Sequence, residues 1–489
     1  MHRSTWLAAL ALLLSTTGLA HAGAPAPIAI PQGASVTPEP DFVLSAFETV
    51  FFVEPVAGNK WLTAARTKPY SLGGGNTSSG DLLFRVTDRA APALSQKYGE
   101  ASIGPAVNDP AQLRTVDATV DGAGALFVGY VVDTLAGRQN LRVAKYLPVQ
   151  GKAPVTKAEF DVLCRDQARD RSIVPDGQGG VFVRGFTWDP SNDQQLSVPY
   201  TRHFSATGAL SWDVRGATVH QMAVSPSELT PTMVLGVGDG DGGLFEVLNL
   251  NGVTAKHNLA PQQDRARVVH RNADGSVAYD RAISLGVAGA RGQAATAGAI
   301  TAIFAVGAPG SQRAVVVFRR NGDDANRRLL ELDDDGTARQ VASFAASDFV
   351  LQAADGSVVV LSIRGGATTR YTLTRYALVG GALAQAAVEH TPEIPAAASV
   401  WPDEPSQVSL SPSGVVVIAS SDKLAGRPTV AAMTLQGQFL GSAKSPGGID
   451  MVVDDGARYF GYDRNDDGEW VYKGGAIHRD TSAAVRGVK

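Results

Sequence analysis

Asp463-Arg464-Asn465-Asp466-Asp467-Gly468 is the segment of this sequence whose residue types come nearest to chemistry. Oxygen-bearing side chains at alternate positions, with a glycine releasing a sharp turn, are what a hard cation such as calcium needs. Asp463, Asn465 and Asp467 are therefore candidate metal ligands, and calcium is the one cofactor the sequence suggests. Two departures weigh against it. A twelve-residue calcium loop closes on a bidentate Glu, and Gly474 stands at that position. Val471 stands three residues after the Gly, where an Asp would complete a shorter loop. A solvated acidic hairpin turn accounts for the same residues.

Other candidates have simpler readings. Asp239-Gly240-Asp241-Gly242 and Asp333-Asp334-Asp335-Gly336 read as tight turns. Asp323/Asp324, Asp403/Glu404 and Asp454/Asp455 are adjacent pairs, whereas acid–base pairs need a fixed separation across a cleft. Arg319, Arg320, Arg327 and Arg328 flank Asp323/Asp324 and read as one mixed-charge exposed hairpin. The eight His residues are scattered without metal-ligand spacing. No G-x-S-x-G elbow or P-loop occurs, and the Gly73–Gly80 stretch lacks the lysine of a phosphate loop. Cys164, the single cysteine, excludes an intramolecular disulfide and reads as a small buried hydrophobe beside Val162 and Leu163. No catalytic residue follows from the sequence, and sugar-stacking aromatics are sparse at 7% of the chain.

The elements that must position these residues recur in two halves. The first is a turn of D-G-x-G type running into an apolar segment: Asp121–Gly124 before ALFVGYVV, Asp176–Gly180 before VFVRGF, Asp239–Gly243 before LFEVL, Asp355-Gly356 before SVVVLSI and Ser411–Gly414 before VVVIASS. The second is a strand ending in its own turn, as in RHFSATGAL, LELDDDGT, RYALVGGAL and MTLQGQFL, with LNLNGV (Leu248–Val253) as a closer-spaced candidate. Each half is a hairpin signal, and two hairpins make a four-stranded sheet. First-half turns lie 55 residues apart from Asp121 to Asp176 and 58 apart from Asp355 to Ser413, within reach of a propeller blade with inserted loops. Helical periodicity is nearly absent. Thr156–Asp170 fits either a capped helix or a strand through Phe160, Val162 and Cys164, and the following turn and strand favour the strand.

The expected fold is all-β: a β-propeller of about seven or eight four-stranded blades over residues 41–489, preceded by an extended Pro/Ala-rich leader at 23–40. Two β-sandwich domains are the alternative. The unit DGSVVVLSI…LTRYALVGGAL (Asp355–Leu383) resembles the repeats of secreted bacterial propellers of the delta-60 and NHL-like kind, which pair a D-G-G turn and valine-rich strand with a later R-φ-φ-x-x-G strand. That resemblance implies a fold; the family shares no activity or catalytic residues to carry over.

Residues 1–22 read as a cleavable export signal: Arg3 in a short start, the apolar run Trp6–Leu14, and Ala20-His21-Ala22 at the cleavage site. The expected location is the periplasm or the extracellular space. No later segment is long and apolar enough to span a bilayer. A formal net charge of −4 with short mixed charge runs argues against nucleic acid as a partner. The function that fits is a non-enzymatic binding or scaffold propeller with a protein or polysaccharide partner. A secreted polysaccharide hydrolase or lyase on the same fold is the alternative. The mature chain is expected to begin at Gly23. Intact-mass measurement of exported protein tests this, and retention of Met1–Ala22 overturns it.

Overall fold

The strands follow from how apolar residues are distributed. Arg313–Arg320 (RAVVVFRR), Val358–Gly365 (VVVLSIRG) and Val415–Ser420 (VVVIAS) carry unbroken β-branched runs, and their centres are buried throughout. A strand with both faces apolar needs a packing partner on each side. Outer strands read differently: in Leu210–Arg215 and Val277–Ala282 nearly every residue is at least partly exposed.

In the computed structural model these strands form eight sheets, each built on an antiparallel path of four strands. The residues described lie between 34 and 479; 1–33, 480–489 and the longer connections 89–99, 104–115, 148–159, 221–234, 249–265 and 284–297, with shorter loop stretches, are outside the description. The sheets are the blades of a β-propeller, with strands A to D running in chain order. Blade 1 is Phe47–Val56, Lys60–Thr67, Leu82–Asp88 and Glu100–Ile103. Blade 2 is Val116–Val120, Leu126–Asp133, Gln139–Tyr146 and Phe160–Cys164. Blade 3 is Arg169–Pro175, Val181–Trp188, Leu196–Phe204 and Leu210–Arg215. Blade 4 is Gly236–Gly238, Leu244–Leu248, Arg267–Arg271 and Val277–Ala282.

Blade 5 is Gly298–Val306, Arg313–Arg320, Asn326–Leu332 and Ala338–Ala345. Blade 6 is Phe349–Gln352, Val358–Gly365, Thr368–Val379 and Ala382–His390. Blade 7 is Pro405–Leu410, Val415–Ser420, Val430–Thr434 and Phe439–Ala443. Blade 8 takes Val452–Asp454, Arg458–Arg464 and Trp470–Arg479 from the C-terminal end and its fourth strand, Ala34–Leu44, from the N-terminal end. The Gly73–Gly80 stretch, read as a loop, contributes to a small hairpin of Tyr70–Gly73 and Asn76–Ser78 inserted in blade 1.

Residues 34–40, read as part of an extended leader, are thus packed structure. Ala34 to Glu39 pair with Arg479 to Gly474, and Val36 is buried against Ile477 and Tyr459. Pro38 and Pro40 are compatible with this because the strand is an edge, and the register shifts between Glu39 and Phe42. Phe160–Cys164 is a strand, as read; the capping-box residues Thr156 and Glu159 lie outside the described residues.

Alternation along each B strand divides its side chains between two neighbours. Ala314, Val316 and Phe318 join Val237, Phe245 and Val268 of blade 4, whereas Val315 and Val317 join Val350, Val358 and Val360 of blade 6. Val359 and Leu361 of blade 6 then pack with Val416 and Ile418 of blade 7, and Val415 and Val417 pack with blade 8. The apolar clusters therefore lie between blades, and each blade completes its neighbour's core. A strands touch from blade 2 through blade 5, and again from blade 6 through blade 8 to blade 1, which makes them the inner row.

Turns between A and B and between C and D fall on one side of the ring; B–C and D–A connections fall on the other. From blade 3 to blade 7 the first side carries tight turns. Trp212 at the rim of blade 3 donates from Nε1 to the Ala273 carbonyl (2.9 Å) in the next blade's C–D turn. Gly275 in that turn has φ +83°, and a Cβ there would stand 2.8 Å from the Trp212 ring.

Because blades share their interfaces, the chain is expected to unfold in one cooperative step. Removing residues 23–44 strips the fourth strand from blade 8, and calorimetry should then show an earlier, broader transition. Limited proteolysis yielding two independently stable halves would overturn the ring.

Candidate functional site

The ionisable residues of the tight-turn side are spent on the fold. Asp176 ends strand A of blade 3; its Oδ1 accepts the Gln178 and Gly180 amides (2.7 and 2.8 Å) and its Oδ2 bonds His203 Nε2 (2.8 Å). Asp239 repeats this in blade 4, accepting from Asp241 and Gly243 (2.9 and 2.7 Å) and from His270 Nε2 (2.9 Å). The histidines lie in cross-strand aromatic rows. His203 sits 4.7 Å from Phe182 and 5.6 Å from Trp212; His270 sits 4.3 Å from Phe245 and 5.5 Å from Tyr279, centroid to centroid. Burial pushes the Asp176 and Asp239 carboxyls up, but the histidine and backbone hydrogen bonds outweigh it and hold both below the usual range.

A second system is buried between blades 3 and 4. Glu246 Oε2 accepts from Arg184 Nε (3.1 Å) and Thr201 Oγ1 (2.6 Å), and Oε1 accepts from Arg271 Nε (2.7 Å). Arg184, wholly buried, also donates to the carbonyls of Leu235 and, at 3.2 Å, Val247. Burial pushes Glu246 up, yet the two guanidiniums hold it below its ordinary value. Glu331 does a similar job at blade 5, receiving Arg313 (3.0 Å), Arg339 and the Leu383 amide of blade 6 (3.0 Å).

The side with the B–C and D–A connections differs. Val315 and Val317 point to blade 6, so Arg319, two residues further along, continues on that face. Phe318 pairs with Arg328, which puts Arg327 across the hairpin from Arg319 on the same face. From blade 6, Val358 and Val360 point back to blade 5, and Arg364 continues their face. These three arginines border a groove between blades 5 and 6. At its floor lies Asp348, whose side chain is 2% exposed. Its Oδ1 receives Arg364 Nη1 (3.1 Å) and its Oδ2 the Ala345 amide (3.0 Å). Arg370, the register partner of Arg364, is matched by Glu393 (2.7 Å) at the outer edge. Arg319 is exposed, and Arg327 Nε is buried with no hydrogen-bond partner among the described residues. Burial and then Arg319 push the Arg327 guanidinium down, with Asp348 opposing them.

The acidic segment of blade 8 forms a B–C turn. Asn465 Oδ1 accepts the Glu469 amide (2.8 Å), its backbone N–H donates to the Glu469 carbonyl, and Gly468 takes φ +78°. Asp463 lies on strand B opposite Val471, and Asp467 is exposed in the turn. Asp239–Gly243 and Asp333–Thr337 are A–B and C–D turns, as read. LNLNGV lies, after Leu248, outside the described residues; the C–D turn of blade 4 is Asn272–Ser276, and strand C begins at Arg267. Asp323, Asp324, Asp403, Glu404 and Asp455 lie outside the described residues. The Asp–His bridges were missed in the sequence, although each His follows its turn Asp by a similar interval, 27 residues in blade 3 and 31 in blade 4. The groove was missed because its arginines come from two blades.

Glu246→Ala leaves Arg184 and Arg271 uncompensated, and chemical denaturation should show a loss of about 3–5 kcal/mol; a loss under about 1 kcal/mol would contradict the burial of the network. Asp176, Asp239, Glu246 and Glu331 all have lowered native values. Their stabilising contribution is therefore complete above the unfolded carboxylate range and is lost as pH falls through the native values. The melting temperature should hold from pH 7 to about 5 and fall steeply below about 4. The double variant Asp176→Asn/Asp239→Asn should melt lower at pH 7 and lose less on acidification.

No protein-family model and no curated protein matches this chain. Among solved structures it is similar to the β-propeller domain of the Trilobed protease from Pyrococcus furiosus, at 11% identity and TM-score 0.38, covering 81% of this chain and 96% of that one. It is also similar to an ulvan lyase of polysaccharide lyase family PL25, at 8% identity and TM-score 0.32, covering 88% of this chain and 97% of that one. The β-propeller fold stated above rests on the eight sheets and their order.

Proposed function

We propose that this chain is an exported, non-enzymatic binding propeller of the cell envelope or extracellular space, with its ligand taken in the groove between blades 5 and 6. The observation that supports it is the contrast in how charge is used. In blades 3 and 4, the turn aspartates are paired with histidines and Glu246 with two arginines. At the groove, Arg319 and Arg327 stand without a hydrogen-bonding side-chain partner among the described residues, on the side of the B–C and D–A connections. Connections on a rigid frame are where scaffolds place binding residues.

Purified mature protein should retain one or more envelope glycans or extracellular polysaccharides without turnover. Chain cleavage of any of them that disappears on heating the protein would overturn the reading in favour of an enzyme.

Calcium at Asp463, Asn465 and Asp467 is a separate proposal, supported by the alternate oxygen-bearing side chains at the blade 8 turn. Asn465 Oδ1 would serve the ion while also accepting from Glu469. Millimolar calcium should raise the melting temperature, as any ligand of the folded state does, and Asp467→Ala should abolish the rise. An unchanged melting temperature with calcium and with chelator assigns these residues to the turn alone.

A further inference from the structure

We infer that the groove between blades 5 and 6 is an oxyanion site for an acidic polysaccharide, holding a carboxylate or sulfate group of the polymer among Arg319, Arg327 and Arg364. This deepens the binding reading of the same groove and rests on it.

The charge balance carries the argument. Among the described residues, three guanidiniums face one carboxylate, Asp348, an excess of two positive charges. Both Asp348 oxygens are committed, one to Arg364 and one to the Ala345 amide. Glu393 is committed as well, to Arg370 and to Thr368 Oγ1 (2.6 Å). Arg319 and Arg327 therefore remain like charges across one hairpin, an arrangement that costs stability unless an anion compensates it. Arg327 adds an orphan: its buried Nε has no acceptor among the described residues, and buried donors are almost always paired. Guanidinium forks match the planar or tetrahedral oxygens of carboxylate, sulfate and phosphate, and bind them more strongly than neutral donors do.

The surroundings narrow the source of the anion. Arg319 is exposed and the Arg364 side chain is 58% exposed, so the groove is open to a chain lying across it. The protein as a whole carries a formal charge of −4. Nucleic acid presents closely spaced phosphates and is held by extended basic surfaces, whereas a polymer with one anionic group per sugar or two can be held at a single cluster of arginines.

The test uses full-length mature protein and calorimetric titration with four probes: an oligogalacturonate, a sulfated oligosaccharide, a neutral oligosaccharide of equal length, and inorganic sulfate. At least one acidic oligosaccharide should bind and the neutral one should not, with affinity falling as salt rises. Arg327→Gln should weaken that binding about tenfold or more, the loss of one charge-assisted hydrogen bond. Its melting temperature should be unchanged or higher, since one of two like charges is gone; a lower one with unaltered binding assigns Arg327 to the fold and overturns the site. Arg319→Gln, on an exposed side chain, should weaken binding similarly and serves if the first variant does not fold. Binding of sulfate alone reduces the site to a free-anion site and overturns the polysaccharide assignment. Retention of neutral glycans only, untouched by either variant, overturns the acidic ligand while leaving the binding reading intact. Turnover of a glycan instead removes the binding reading itself.

Discussion

Two-sided burial of the middle strands is the constraint on which this architecture depends. Val315 and Val316 are adjacent in sequence, are both fully buried, and face different blades. A sheet with apolar residues on both faces cannot end a stack; it needs a neighbour on either side. A linear array would leave two such faces open to water, and a ring leaves none. Closure is thus the way this sequence hides its valines. The same demand explains the absence of strong alternation in the B strands and its appearance in the D strands, where one side of the blade reaches solvent.

Polar groups inside this frame divide by what they hold. An Asp at the end of strand A fixes the local backbone by accepting the amides of the turn, and its second oxygen reaches across two strands to a histidine in blades 3 and 4. Ser411 in blade 7 caps its turn through Oγ to the Val415 amide, at 3.0 Å, without any charge. Glu246 acts at longer range, joining side chains from both blades that it separates. Buried ionic contacts of this sort add little net stability over an apolar substitute, but removing one partner is costly.

Turn chemistry made most of the fold readable from the sequence. Asp-Gly and Asn-Gly signals are local, and glycines such as Gly177, Gly240, Gly356 and Gly414 do adopt positive φ in those turns. What could not be read locally is which strand joins which sheet over long distances. The segment around Pro38 and Pro40 has the composition of a leader, and only its partner Trp470–Arg479 makes it a strand. The arginine groove was half legible. Arg319 and Arg327 were visible as a charged hairpin, and the parity of Val315, Val317 and Arg319 places one of them beside blade 6. Arg364 and Asp348, which complete the groove, belong to a different hairpin and a different loop, and their approach depends on how two sheets stack.

The pairing of Ala34–Leu44 with Trp470–Arg479 has a kinetic meaning. Synthesis proceeds along the chain, so the strand that seals the ring is made early and its partner late. Until that partner arrives, the early strand is an unpaired edge, and blade 8 exposes the surface that later receives Val36. Joining segments more than four hundred residues apart carries a closure entropy that grows only logarithmically with length, so separation itself is a modest obstacle. Order of events is the larger one: intermediate blades can stack as they emerge, but the last interface waits for the whole chain. The ring therefore behaves as a clasp that fastens only when both of its halves have been made, and the unfinished chain stays open until then.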